Sequence, residues 1–252
     1  MLNHQLIERY FFLILSLEIM SIGIVFTNHA DLGISTLLSI PYILSFYFKF
    51  SIIIFNILLQ ILFVIIQILI LRINFKKFQL FQLLIWLILE IFLDINNIFF
   101  LQYFYPKHYL IKILFLLLGS FLIGISINIQ IIIKTLYTPG EGLFISIYNT
   151  FHSNLCYTKI ILDFFLIFIS TIISFLFLGK IIGIKEGTII SGIFVGYFLG
   201  ITHSKIRKII FEFLYRNCPE REGEEHFNEN LFVDDDQYNK KEDFVNSLNL
   251  WD

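Results

Sequence analysis

The chain has 252 residues, of which 57% are hydrophobic and 15% are charged, and its mean hydropathy is +0.80. A soluble domain has about 45–50% apolar and about 25% charged residues, so the composition excludes an ordinary soluble fold. It indicates an all-α, polytopic membrane helix bundle. The net charge is −2, and the basic residues stand singly or in small clusters beside apolar segments, which disfavours nucleic-acid binding.

Six apolar segments are long enough to span a hydrocarbon core of about 30 Å, which requires about 20 helical residues. The first segment carries Glu18 and lacks a small-x-small cleavage site, so we interpret it as a retained helix rather than a signal peptide. The predicted spans are residues 10–27, 51–71, 78–96, 109–133, 158–178 and 187–203.

Two amphipathic segments, residues 33–47 and 143–153, are too short to cross a membrane. Their polar residues fall on one helical face. Such helices either re-enter the membrane against protein or lie flat in the interface, and both alternatives stay open. If both crossed fully, the basic residues at 72–77 would face outward, so the positive-inside tendency favours six spans with a cytoplasmic N-terminus.

The two halves of the chain repeat one plan. A shift of 103 to 107 residues aligns Thr36 with Pro139, Ser51 with Thr158 and Asn56 with Asp163. We therefore expect an internal duplication, with one repeat at about 9–97 and the second at about 108–208. Because each repeat contains three crossings, the copies would have opposite orientations, which makes a 3+3 inverted repeat of the kind found in transporters.

The last segment has a different composition. Residues 1–215 form the predicted membrane domain, whereas residues 216–252 contain eleven acidic residues and are predicted to be a disordered cytoplasmic tail. Residues 244–251 are a candidate docking peptide for a protein partner, and an inert tail is the alternative.

Ionisable residues inside the predicted spans are candidates for function, because insertion of a charge costs about 2.5–3.5 kcal/mol. Glu90 and Asp94 lie one turn apart, which suits proton or cation coupling, unless Asp94 marks the end of its span. Asp163 follows Lys159 by one turn, and we predict a local ion pair there. Glu18 is the remaining candidate.

Asp31 and Glu141 flank the two short helices. Acidic groups near a helix N-terminus often cap it, and capping is one interpretation. In the other, the helix N-termini line an ion or solute site, where small residues allow the backbone to approach closely. The candidate pathway residues are Glu18, Asp31, Gly33, Ser35, Glu90, Pro139, Gly140 and Glu141.

The histidines and cysteines give no metal-ligand spacing, and the sequence contains no Walker loop, dinucleotide fingerprint or hydrolase elbow. We therefore expect no enzymatic activity, cofactor or metal site.

Three motifs resemble the YczE/YyaS/YitT-type bacterial membrane proteins: residues 28–35 with 39–42, residues 137–143, and residues 185–192. The resemblance extends over roughly residues 9–210. It implies a location in the bacterial cytoplasmic membrane and no particular activity. The chain departs from the pattern at Thr36, where relatives tend to have proline, and in its long acidic tail.

Two functions fit these observations. The first is a small-solute or ion transporter with a pathway between the inverted halves. The second is a non-transporting membrane scaffold or regulator whose tail recruits a protein partner.

Overall fold

The structure, a computed structural model, describes residues 2–101, 106 and 108–215, and within these ranges every regular element is helical. The predicted all-α fold class is confirmed. The predicted tail at 216–252, with its candidate docking peptide, lies outside the described residues. The helices are α1 (Leu2–His29), α2 (Thr36–Phe48), α3 (Ile52–Leu71), α4 (Gln82–Leu101), α5 (Tyr109–Ile133), α6 (Pro139–Phe151), α7 (Leu155–Leu178) and α8 (Glu186–Tyr215), with two 3-10 turns between α3 and α4.

Six of these helices are long and apolar enough to cross a membrane, as predicted: α1, α3, α4, α5, α7 and α8. Helices α2 and α6 have 13 residues each, well below the roughly 20 that a crossing requires. The chain is therefore a multi-pass integral membrane protein.

The two short helices begin at positions other than those predicted. Helix α6 starts at Pro139 rather than at residue 143. Proline is favourable in the first turn of a helix, because the N–H groups there make no hydrogen bond within the helix and proline has no N–H. Gly140 and Glu141 therefore lie inside the helix. Helix α2 starts at Thr36 rather than at residue 33, since Gly33 has φ +133°, which no helix accommodates.

The turn after each short helix is built in the same way. Helix α2 ends at a left-handed residue, and then Ser51 accepts a hydrogen bond from the N–H of Ile53 at 3.3 Å. Helix α6 also ends at a left-handed residue, and then Asn154 accepts from the N–H of Cys156 at 2.9 Å. These side chains cap α3 and α7.

The bounds of the two short helices and the starts of the helices that follow them repeat with one offset. Helices α2 and α3 begin at residues 36 and 52, and α6 and α7 begin at residues 139 and 155, which is 103 residues later in both cases. This offset pairs Thr36 with Pro139, as predicted. It pairs Asn56 with Lys159, however, rather than with Asp163.

The packing also follows the two halves. Helix α1 packs on α5, and α8 packs on both α5 and α7. Each short helix packs on a long helix of the other half, α2 on α7 and α6 on α3. The contact between α1 and α5 is close, because a Cβ at Gly119 would lie 2.6 Å from the carbonyl oxygen of Gly23. Small residues permit such approach between membrane helices.

The long helices turn polar residues inward and apolar residues outward. On α3, Asn56 and Gln60 are buried, whereas Ile53 and Leu69 are 62% and 67% exposed. In a membrane such exposed apolar side chains contact lipid, and polar side chains face the interior of the bundle. The interior therefore contains the groups that can carry chemistry.

Candidate functional site

A buried cluster of three ionisable side chains joins α6 to α7. The Nζ atom of Lys159 lies 3.2 Å from Oε1 of Glu141 and 3.5 Å from Oδ1 of Asp163, and none of the three side chains is more than 3% exposed. The predicted local pair between Lys159 and Asp163 is confirmed. Because Glu141 comes from the first turn of α6, the pair is extended across two helices.

The start of α2 contacts the same cluster. Thr36, the first residue of α2, donates a hydrogen bond from Oγ1 to Oδ1 of Asp163 at 3.2 Å. Helix α8 also approaches closely, since a Cβ at Gly192 would lie 3.5 Å from both the Cβ of Asp163 and the Cγ2 of Thr36. Four helices, α2, α6, α7 and α8, therefore meet around Asp163 and Lys159.

Amide side chains from α3 and α4 lie against the start of α6. Gln67 on α3 donates from Nε2 to the carbonyl oxygen of Pro139 at 2.9 Å. A Cβ at Gly142 would lie 2.5 Å from Oε1 of Gln82 and 2.9 Å from Oε1 of Gln67, so glycine provides the space for both amides.

The starts of the two short helices are neighbours. A Cβ at Gly140 would lie 3.3 Å from Cδ2 of Leu37, and these residues are each the second of their helix. Helix N-termini carry a partial positive charge. Two such ends therefore lie close to a cluster that contains two carboxylates and one ammonium group.

One carboxylate oxygen of the cluster has no partner. Oε1 of Glu141 accepts a hydrogen bond from Lys159, but Oε2 is buried without a hydrogen bond. The aromatic ring of Phe144, which is fully buried, lies 5.8 Å from Nζ of Lys159. An unpaired polar atom in such an apolar setting is costly, so Oε2 is the place where the cluster can accept a further donor.

Asp31 lies elsewhere and does not cap α2. Its φ is +52°, and the N-cap position of α2 is occupied by Ser35, whose side chain makes no capping bond. The Asp31 side chain is 55% exposed and lies 3.0 Å from Nζ of Lys112 and 3.6 Å from Nζ of Lys185. The hydrogen bond from Lys112, with the charges of both lysines, holds the pKa of Asp31 below its ordinary value. The capping interpretation is wrong for Asp31, because the chain turns before α2 begins.

Two of the three sequence motifs form one unit beside Asp31. The N–H of Gly187 donates to the carbonyl oxygen of Leu32 at 2.8 Å, and the N–H of Ile34 donates to that of Gly183 at 3.1 Å. A side chain at Gly33 would overlap Thr188, and its φ of +133° also favours glycine. The loop before α2 is thereby fixed to the start of α8.

Glu18 and Glu90 have partners outside the cluster. Oε1 of Glu90 accepts from Asn56 at 2.9 Å, which links α4 to α3. Oε1 of Glu18 accepts from Asn96 at 3.0 Å, which links α1 to α4. Asp94 is exposed. Of the predicted pathway residues, Glu141 therefore belongs to the buried cluster, and Pro139 and Gly140 lie beside it in the first turn of α6. Glu18, Glu90 and Asp31 make their contacts elsewhere.

Sequence reasoning missed the link between Lys159 and Glu141. A lysine and an aspartate one turn apart in an apolar span were visible in the sequence, as was the acidic first turn of the preceding short helix. Together these features could have indicated that Lys159 has a second partner.

Comparison with known proteins identifies a family that matches most of the chain. The model of a family described as a family of unknown function (DUF6198) matches residues 7–204. No significant match was found among curated proteins or among solved structures.

Proposed function

The chain belongs to DUF6198, a family of unknown function, so its activity must be inferred from the site, and we propose that it transports a small solute or ion across the bacterial cytoplasmic membrane. The observation that carries this proposal is the buried cluster of Glu141, Lys159 and Asp163 at the meeting point of α2 and α6. The resemblance to YczE/YyaS/YitT-type proteins supports the location.

The first argument is the free energy that is needed to place charged groups inside a membrane protein. Charged groups inside a membrane protein are expensive and usually mark ion or substrate pathways. A hydrophobic replacement of a buried ion pair is often neutral or stabilising, so packing alone does not require Lys159, Glu141 and Asp163 at this position.

The geometry of the short helices is the second argument. In many transporters, discontinuous helices from two repeats meet near the middle of the membrane and direct their N-termini at the transported species. Here the starts of α2 and α6 are neighbours through Leu37 and Gly140, and each helix packs on the other half of the chain. We infer that both helices re-enter the membrane rather than lie in its interface.

The repeat is the third argument. Leu37 and Gly140 differ by the same 103 residues as the bounds of α2 and α6, so they are equivalent positions that contact each other. When a two-fold axis relates two copies of a structure, residues next to the axis contact their own equivalents in the other copy. Since each repeat has three spans, we propose that this axis relates two halves of opposite orientation, with the N-terminus in the cytoplasm.

The other candidate residues fit as parts of the pathway. A hydrogen bond between Glu90 and Asn56 links α4 to α3, and both of these helices contact the start of α6. Asp31 and its two lysines form a charged group at the ends of α1, α5 and α8. We assign Asp31 to an entrance and Glu90 to the wall of the pathway.

The test is current measurement on purified protein in liposomes adsorbed to a solid-supported membrane, with a panel of ions and small polar solutes applied in turn. At least one compound should evoke a current that Glu141→Gln abolishes. The matched variant Glu212→Gln, which changes the same functional group at an exposed position, should retain the current.

Removal of the residues after Cys218 separates transport from the scaffold alternative. A transporter retains its current without this segment, whereas a scaffold would show no current with any compound and would lose a bound protein on truncation. The second result would overturn the proposal.

A further inference from the structure

The charges of the buried cluster do not balance. Glu141 and Asp163 contribute two carboxylates and Lys159 one ammonium group, and all three side chains are at most 3% exposed. With every group ionised the cluster has a net charge of −1. A low-dielectric interior disfavours a net charge strongly, so one additional positive charge would neutralise the site.

The hydrogen bonds indicate which carboxylate receives it. Oδ1 of Asp163 accepts from Thr36 and faces the ammonium group of Lys159, so its negative charge is stabilised from two sides. Glu141 has one bonded oxygen, Oε1, and one buried oxygen without a partner, Oε2. Among the described residues, Oε2 of Glu141 is the buried carboxylate oxygen that lacks a hydrogen bond.

A proton suits this position better than a metal cation. The ammonium group of Lys159 lies 3.2 Å from the other oxygen of Glu141 and would repel a metal ion. The described part of the chain also contains no group of three or more acidic, histidine or cysteine side chains able to hold a metal. A proton requires a single oxygen.

The neighbouring helices supply few other ionisable groups. Helix α7 contributes Lys159 and Asp163. Helix α3 contains no ionisable residue and contacts the start of α6 through Gln67. Helix α4 contributes Gln82 beside Gly142; of its two acidic residues, Glu90 accepts a hydrogen bond from Asn56 and Asp94 is exposed. Helix α2 contributes Thr36 and contains tyrosines as its ionisable residues. The charge of Glu141 is therefore determined mainly by Lys159 and Asp163.

We propose that Glu141 takes up one proton on Oε2 and that, in the transporter proposed above, this proton is the coupling ion. Uptake converts the carboxylate to a carboxylic acid and changes the charge of the cluster from −1 to zero. Release returns the proton to water on one side of the membrane.

Protonation also changes how α6 is held. With Glu141 neutral, its ion pair with Lys159 becomes a hydrogen bond from the ammonium group to an uncharged acid, whereas Lys159 and Asp163 remain an ion pair on the same helix, α7. The charge-dependent link between α6 and α7 is thereby weakened. A proton can shift a two-state equilibrium in this way if it binds one state more tightly than the other.

The test is infrared difference spectroscopy of the full chain in lipid bilayers during a pH titration. The carbonyl stretch of a protonated carboxylic acid should appear reversibly as the pH falls. It should disappear in Glu141→Gln and persist in Glu212→Gln. Asp163→Asn balances the charges of the cluster, so in that variant the band should appear only at a lower pH than in the unmodified chain. A band that survives in Glu141→Gln, or whose midpoint in Asp163→Asn equals that of the unmodified chain, would overturn the proposal.

A second variant covers the case in which Glu141→Gln does not fold. Glu141→Asp keeps the carboxylic acid on a shorter side chain, so its band should persist at a shifted frequency with a shifted midpoint. An unchanged band would contradict the proposal. Because the spectroscopic titration requires no transport, its failure leaves the transport current unaffected, and absence of a current leaves proton binding measurable.

Discussion

Replacement of Lys159 by methionine tests the energetics of the cluster. The variant keeps the volume of the side chain and leaves two buried carboxylates without their cation. At an effective dielectric constant of about 20, a pair separated by 3.2 Å attracts by roughly 5 kcal/mol, and the pair at 3.5 Å is similar. Removal of one partner from a buried pair costs about 3–5 kcal/mol in practice.

The matched control is Lys112→Met. Lys112 pairs with Asp31 at 3.0 Å, but the Asp31 side chain is 55% exposed, so water and salt screen the attraction and the loss should be at most about 1 kcal/mol. Unfolding titrations in mixed micelles, followed by tryptophan fluorescence, measure both variants. The free energy of unfolding should fall several times more for Lys159→Met than for Lys112→Met.

The triple variant of Lys159→Met with Glu141→Gln and Asp163→Asn completes the experiment. Because it removes the uncompensated charges, it should recover most of the lost stability. Equal losses for Lys159→Met and Lys112→Met would refute the reasoning, since they would mean that water reaches the cluster and screens it. A triple variant as unstable as Lys159→Met would show that the shape and packing of the methionine side chain, rather than the uncompensated charge, explain the loss.

Three further results are expected. Gly119→Ala should destabilise the protein by about 1–3 kcal/mol, because its Cβ meets backbone at 2.6 Å, whereas Gly192→Ala, with contacts at 3.5 Å, should cost much less in the same unfolding titration. The pKa of Asp31 is lowered from 3.8, so the small contribution of the Asp31 ion pairs to stability is complete above pH 3.8 and is lost as the pH falls through the lowered pKa. Asp31→Asn should remove this loss of stability at low pH. If the loss were the same in the variant, Asp31 would not be its source. Phe48 and Phe151 are the exposed last residues of α2 and α6. In a chain without native cysteines, single cysteines at these two positions should react with an impermeant thiol reagent from opposite sides of the membrane. Reaction of both from the same side would contradict the inverted arrangement.

The fold was largely predictable because its determinants are local. Length and apolarity identify each span, and the polar spacing of residues 33–47 predicts a short helix. The start of α6 was wrong because Pro139, Gly140 and Gly142 suggest a turn in sequence, and the helix accommodates all three in its first turn.

The site was less predictable because its contacts join distant parts of the chain. Lys159 and Asp163 are one turn apart, and their ion pair was predicted. Thr36, however, reaches Asp163 across 127 residues, and no local rule selects Asp163 over Glu18 or Glu90 as its neighbour. The partners of Glu18 and Glu90 are amides on other helices, which the sequence left unassigned among many polar residues.

The offset of 103 residues that relates α2 to α6 and the start of α3 to that of α7 allows the two segments to be compared position by position. It makes Asn56 equivalent to Lys159 and Gln60 equivalent to Asp163, and both pairs are buried and one turn apart. On α3 the pair is neutral, with Gln60 donating to Asn56 at 3.3 Å. On α7 the equivalent pair is ionic.

The position equivalent to Glu141 is Leu38, so the start of α2 carries no acid where the start of α6 does. Two charged clusters, one at each helix start, would place two net negative charges close together in a medium that screens them poorly. Neutral amides on α3 avoid this repulsion. If α6 and α7 repeat α2 and α3, as proposed above, the buried charged cluster belongs to the second copy, and we expect this cluster to bind one proton in the spectroscopic titration.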